Sequence, residues 1–326
     1  MISIPVDRLP EDDTAWDRVL QEYFAFDLLP RWHRDGDAIS VTLVPPPSAA
    51  FYIDPSLSDG LLWWSDSVEV PDIPLARREV PGGHLFMNDA WTLFAWSTWL
   101  RRRFDAGLAP RAVTVLHVDD HEDMMSPRLI VDGELLRNVL TDEEVEVGSP
   151  ESVARAIATG GIGMGSFMAP FLLQVPALHV RHLRGRGDDV DTMAIGPSFE
   201  ADNLLAPGSP RLTIGRSGGA GTYSRWTDPM AWASDDSDRP ILLHIDMDYF
   251  NNRYDGDSDW QLHAPRHDPS EDRVVEMVDE LFDAVAMTGA NDRVEDVAVG
   301  ISPGFFPGEL WAPAIGRVLD RIAERL

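Results

Sequence analysis

Residues 115–124 read VLHVDDHEDM, four acidic residues and two histidines in ten positions directly after a β-branched run. A strand alternates its side chains, so His117, Asp119 and His121 point the same way if the strand runs that far, and a modest turn adds Asp123. The segment is either a wet surface loop or half of a metal site. A second stretch bears on the choice: LLHIDMDYF (242–250) is another apolar strand, and its His244, Asp246 and Asp248 share a face. Both runs set carboxylates just past a hydrophobic segment, where the carboxyl edge of a sheet belongs. Carboxylates crowded on one edge repel unless something positive sits between them.

Working outward, strand and helix patterns alternate. The segment SPESVARAIATGG (149–161) offers Ser149 as N-cap, Pro150 at the first helical position and glycine at the end. Short strands follow at 177–183 and 190–196, and Ser270 caps a helix with Glu271 and Asp272 in its first turn. VEDVAVGIS (294–302) is a further strand, and 308–326 a terminal helix. Upstream, Asn88 or Asp89 caps a helix whose Trp91, Phe94, Ala95 and Trp99 fall at helical spacing and which ends in Arg101, Arg102 and Arg103. Strands separated by helices predict a mostly parallel sheet covered on both faces, with ligands beyond the carboxyl ends of its strands. Residues 215–240, rich in Gly, Ser and Asp, read as a long substrate-facing loop.

The 326 residues, 44% of them hydrophobic, suffice for a sizeable core. Against 27 basic residues stand 55 acidic ones, a net charge of -28, which disfavours nucleic acid and suits a cationic partner such as a basic peptide or a guanidinium compound. With no cysteine there is no disulfide, zinc-thiolate site or cysteine nucleophile. The first residues carry no basic-then-apolar leader and no run reaches membrane-span length, so a soluble, cytoplasmic protein is expected. The composition leaves assembly open, a homo-oligomer included.

Carboxylates with one or two imidazoles suit divalent manganese, with zinc and iron as alternatives. A D-x-H-x-D segment plus a D-x-D segment offers more ligands than one structural ion needs. Two ions roughly 3.5–4 Å apart use them naturally and activate a water between them. At this point the chain resembles the arginase/deacetylase superfamily. VDDHED (118–123) looks like the ureohydrolase signature D-A-H-x-D, HIDMD (244–248) like its second signature, and PGGHLF (81–86) is similar to the glycine-rich segment whose histidine completes the metal set. The resemblance implies a three-layer α/β/α sandwich, a single domain over 1–326 with 1–80 a family-specific N-terminal segment packed on the core, and two Mn2+ per chain. It implies the ligands His84, Asp119, His121, Asp123, Asp246 and Asp248. Asp123 and Asp246 would bridge the two ions.

Several positions depart from the family pattern. Asp120 stands where the signature has alanine and reads as structural, since it faces the opposite side of an ideal strand. Ser166 stands in the loop where free-arginine arginases carry a histidine proton shuttle, and Gly300 near the place of their guanidinium-holding glutamate. Glu309, or an N-terminal acid such as Asp27, is the alternative anchor. Tyr249 is the aromatic pocket candidate, whereas Trp63, Trp64 and Phe250 read as core. The forms HIDMDYF and GISPGFFPGELW resemble the branch that includes peptide arginases, which convert arginine within a peptide to ornithine and urea. Guanidinium hydrolysis is therefore expected, with Asp123 relaying the proton. His117 and His244 would orient a ligand, carry a proton, or simply be buried and hydrogen-bonded. The rivals are amide hydrolysis of an acylated amine, an agmatinase-like activity on a small guanidino compound, and a non-catalytic binding protein on the same fold.

Overall fold

A computed structural model describes residues 2–24, 29–44, 53–108, 112–133, 135–264 and 267–325. Six strands run parallel through its centre: β1 (Gly83–Phe86), β2 (Ala112–Val118), β3 (Ala177–Leu183), β4 (Gly221–Trp226), β5 (Ile241–Asp246) and β6 (Val294–Gly300). Their spatial order is β1-β6-β5-β2-β3-β4, so the winding reverses between β5 and β2. Such a reversal leaves a crevice at the carboxyl ends.

Alternation along the strands sorts side chains into two layers. Ile241, Leu243 and Ile245 face one side and meet Val274, Val278 and Leu281 of the helix Glu271–Met287. Leu242, with Val113 and Val115 of β2, faces the other and meets Leu93, Trp96 and Leu100 of the helix Thr92–Asp105. Helices cover both faces, giving three α/β/α layers. Ser149 and Ser270 cap their helices through side-chain oxygens, as the sequence predicts.

The expectation of a mostly parallel sheet needs correction, because among the described residues the sheet has twelve strands and is mixed. Arg77–Val80 pairs antiparallel with β1 at one flank. At the other flank Val190–Asp202, Ser209–Gly215, Leu129–Asp132 and Leu135–Asn138 extend β4 in antiparallel fashion. Antiparallel neighbours need only short turns and no crossover helix, so helix–strand alternation in the sequence does not reveal them. Residues 215–240 are likewise not one loop, since they contain β4 and the helix Pro229–Ala233. Gly221 opens β4 because a Cβ there would sit 2.8 Å from the Leu178 carbonyl oxygen of β3.

The strands Ile2–Pro5, Leu29–Asp35 and Ala38–Val44 form a separate antiparallel sheet. With the helix Trp16–Phe24 they enclose Ile4, Trp16, Leu20 and Phe24 in a cluster that also takes in Leu204. No described helix is long and apolar enough to cross a membrane.

Candidate metal centre

The crevice beyond β2 and β5 is a cavity of about 640 Å³ whose walls include Asp89, His121, Asp123, Asp246 and Asp248. Backbone amides aim these carboxylates. The His121 N–H donates to Asp119 Oδ1 (2.5 Å), the Asp120 N–H to Asp248 Oδ1 (3.0 Å) and the Asp248 N–H to Asp246 Oδ1 (3.1 Å). The Ser302 hydroxyl donates to Asp246 Oδ2 (2.6 Å), and the Gly165 N–H to Asp89 Oδ2 (2.8 Å). Asp123 and Ser302 hold left-handed backbone conformations, φ 53 and 52, which a non-glycine residue keeps only where its surroundings enforce them.

Two sets of side chains could each hold an ion: Asp119, His121 and Asp248, and His117, Asp119, Asp123 and His244. Asp119 belongs to both. In the second set the two imidazoles are joined to each other through Nδ1, while the buried His244 Nε2 finds no hydrogen-bond partner among the described residues. His117 Nδ1 and His244 Nδ1 share a hydrogen bond of 2.8 Å, His117 Nε2 faces the His121 carbonyl oxygen at 3.1 Å, and neither ring lines the cavity. Of this second set, Asp123 lines the cavity and the two histidines do not.

The donor set fits divalent cations. Burial, and then repulsion from neighbouring carboxylates, holds Asp119, Asp123 and Asp246 well above the usual carboxylate range. Asp119 Oδ2 and Asp123 Oδ2 are buried and find no hydrogen-bond donor among the described residues. Burial pulls the His121 imidazole down, but Asp248, Asp119 and Asp255 more than offset this and hold it far above its ordinary value. One imidazolium cannot balance five carboxylates in so small a volume, whereas two divalent ions can. Oxygen-rich ligation with a single imidazole suits manganese and leaves zinc and iron open.

Beneath the site lies a row of histidines on three adjacent strands, His182 opposite His117 and His117 opposite His244. His117 and His244 stack with ring centroids 4.9 Å apart, and His244 packs against Trp96 and Phe167. Burial pushes His182 and His244 down to about 3, so both are neutral. His182 Nε2 bonds the Asp119 carbonyl oxygen (2.9 Å), and its Nδ1 bonds the Tyr223 hydroxyl (2.7 Å). This row holds the loop that carries the ligands; it does not touch the cavity.

The structure thus brings Asp119, His121, Asp123, Asp246 and Asp248 together, with His117 and His244 below them. It does not bring His84. That residue pairs with Ala298 on β6, two residues short of Gly300, the neighbour of Asp246, and lines a different cavity with Glu79, Arg102 and Asp296. Asp89, five positions on, lines the cavity. Asn88 takes the helix cap, accepting from the Ala90 N–H at 3.0 Å, which leaves the Asp89 carboxylate turned to the cavity. An acid just past a strand was the available signal, the same one that marked Asp119 and Asp246.

The three expected substrate contacts also lie elsewhere. Glu309 is paired with Arg253 at 2.5 Å outside the cavity. The Ser166 hydroxyl closes its own turn on Gly163 and lines a neighbouring cavity. Tyr249 is packed in the core against Phe250, because the chain turns after Asp248 and buries the ring. Asp27 lies outside the described residues. Asp120 is held by Asn252, Arg184 and Arg186 and does not line the cavity. The sequence reading missed Asp89, Asp255, Ser302, His182 and the rim pair Glu122–Arg216, whose charged atoms lie 2.6 Å apart.

A buried His/Asp cluster suited to two ions, on a three-layer α/β/α fold, is consistent with a binuclear-metal hydrolase in general. No family model matches the chain, and no curated protein shows a significant match to it.

Proposed function

We propose that the protein is a metal-dependent hydrolase of carbon–nitrogen bonds that converts the guanidinium of arginine within a peptide to ornithine and urea. The observation that carries this reading is the convergence of Asp89, Asp123, Asp246, Asp248 and His121 on one cavity at the switch point of the sheet, with Asp119 in the same cluster. Asp119, His121, Asp123, Asp246 and Asp248 would hold two divalent ions, manganese on this reading, which would supply Lewis acidity and an activated water. On this reading Asp123, which lines the cavity, holds the proton that the attacking water gives up. Met124, Met125, Met164 and Phe305 form the apolar wall that an arginine side chain's methylenes require. Glu122, in the same wall and held by an exposed arginine, offers a carboxylate to the cationic head.

The peptide form of the substrate draws support from a second cavity of about 310 Å³, lined by Glu22, Tyr23, Ser126 and Arg211. Met124, Met125 and Met164 line both cavities, so an extended chain could run over them from one to the other. Flanking residues would then contribute binding energy to turnover.

The test is urea release from arginine-containing peptides by manganese-loaded protein, with the peptide losing the mass of one cyanamide unit per residue modified. Free arginine is expected to be much poorer, with agmatine and other guanidino compounds intermediate. Deacylation of an acetylated amine with no urea from any guanidinium compound would transfer the assignment to amide hydrolysis. Tight substrate binding without turnover would make the protein a binding module.

A further inference from the structure

His121 presents its two ring nitrogens to different partners. Nδ1 faces Asp248 Oδ2 at 2.8 Å and Asp119 Oδ1 at 3.5 Å, and Nε2 faces Asp255 Oδ1 at 3.3 Å. An imidazole that ligates through Nδ1 must carry its proton on Nε2, and a hydrogen-bond acceptor at Nε2 selects that tautomer.

Asp255 is itself held. Its backbone is left-handed, φ 53, and its N–H donates to Asn252 Oδ1 at 3.0 Å. Asn252 Nδ2 donates back to Asp255 Oδ1 (3.0 Å) and to Asp120 Oδ2 (2.9 Å). Asn252 is fully buried, and Asp120, gripped by Arg184 and Arg186, gives its own N–H to the ligand Asp248. Of the four described non-glycine residues with positive φ, Asp123 lines the cavity, Asp255 faces His121 and Ser302 donates to Asp246. Backbone strain collected around one site marks geometry imposed for function.

We propose that Asp255 is a positioning residue of the metal centre: its carboxylate keeps the proton of His121 on Nε2, which leaves Nδ1 to ligate, and Asn252 and Asp120 fix that carboxylate in place. The proposal rests on the two-ion reading of the site and is independent of the substrate.

Calorimetric titration of the metal-free full chain with Mn2+ tests it. Asp255→Gly removes the carboxylate and accepts the left-handed backbone, and Asp255→Asn keeps an acceptor oxygen there. Wild type is expected to take up two ions, the Gly variant to bind one of them about 10- to 100-fold more weakly, and the Asn variant to recover most of that loss. Equal weakening in both variants would overturn the tautomer role, and wild-type affinities in the Gly variant would overturn the proposal alone. Fewer than two ions on wild type would overturn it together with the metal reading. If the Gly variant does not fold, Asn252→Ala, which releases Asp255 without removing it, must weaken the same ion about threefold or more; no change would overturn the proposal.

Discussion

The two edges of the central sheet carry similar residues in opposite electrostatic settings. At the amino edge, a cavity of about 540 Å³ is lined by Glu79, His84, Arg102, Glu295 and Asp296. Arginines answer its acids: Arg102 meets Asp296 at 2.7 Å and Arg103 meets Glu295 at 2.7 Å. At the carboxyl edge, no arginine among the described residues pairs with Asp119, Asp123, Asp246 or Asp248, and all four are buried, as only Asp296 is at the amino edge. A permanent cation beside a buried acid makes a structural pair, whereas several buried acids without one suit a bound divalent ion. That contrast, more than the count of acids, separates the candidate site from its look-alike.

The strongest way to break the comparison is at Asp123. Asp123→Asn is expected to lose at least one of two manganese ions and to lower turnover about a thousandfold, since the residue is both a ligand and the proton acceptor. Elemental analysis and urea assay read the two effects separately. Two retained ions would return Asp123 to the structural class.

Next come Asp89, which lines the carboxyl-edge cavity, and His84, the ligand that the resemblance implied, which lines the amino-edge one. Asp89→Ala is expected to weaken manganese binding at least tenfold, and His84→Ala to leave both ions in place. The reverse result would restore the histidine as ligand and place the metal centre differently.

The amino edge makes a prediction in pH. Burial lifts Asp296 to about 6, against the pull of its Arg102 partner. A folded value above that of an unfolded aspartate means that the folded state holds the proton more tightly. The stabilisation is complete below about pH 4 and is lost as pH rises through 6. Asp296→Asn removes this dependence, so thermal melts are expected to show the variant gaining on wild type between pH 4 and 7, by about 2 kcal/mol. A constant difference across that range would show that the arginine fully compensates the burial.

Smaller effects sharpen the substrate side. Glu122→Gln is expected to raise KM for an arginine peptide about fivefold with both ions retained, the size of one partly exposed ionic contact. Glu309→Gln and Tyr249→Phe are expected to leave kcat and KM within about twofold, because neither side chain reaches the cavity. A large loss in either would bring a residue from outside the cavity into substrate recognition.

Reading the sequence located the acidic strand ends because the evidence there is local. Strand periodicity puts His117 with Asp119 and His244 with Asp246, and the pairing of β2 with β5 does set His117 beside His244. The helix caps at Ser149 and Ser270 are equally local, each a short polar side chain meeting an amide three residues on. Layering followed from the same alternation, which splits Ile241, Leu243 and Ile245 from Leu242.

What only the tertiary structure decided depends on register and on the path of the chain between elements. His84 and Asp89 are five positions apart, and a two-residue offset of β1 against β6 sends the histidine to the amino edge, while capping by Asn88 frees the aspartate for the site. Glu309 was close enough in sequence to serve as an anchor, but Arg253, brought 56 positions back to it by folding, holds it outside. Asp255 carries no signal of its own in the sequence, because its role is defined by the second nitrogen of a histidine 134 positions away. Chemistry that a strand's own period brings together can be read along the chain, whereas contacts that close across loops are chosen by the packing of the whole sheet.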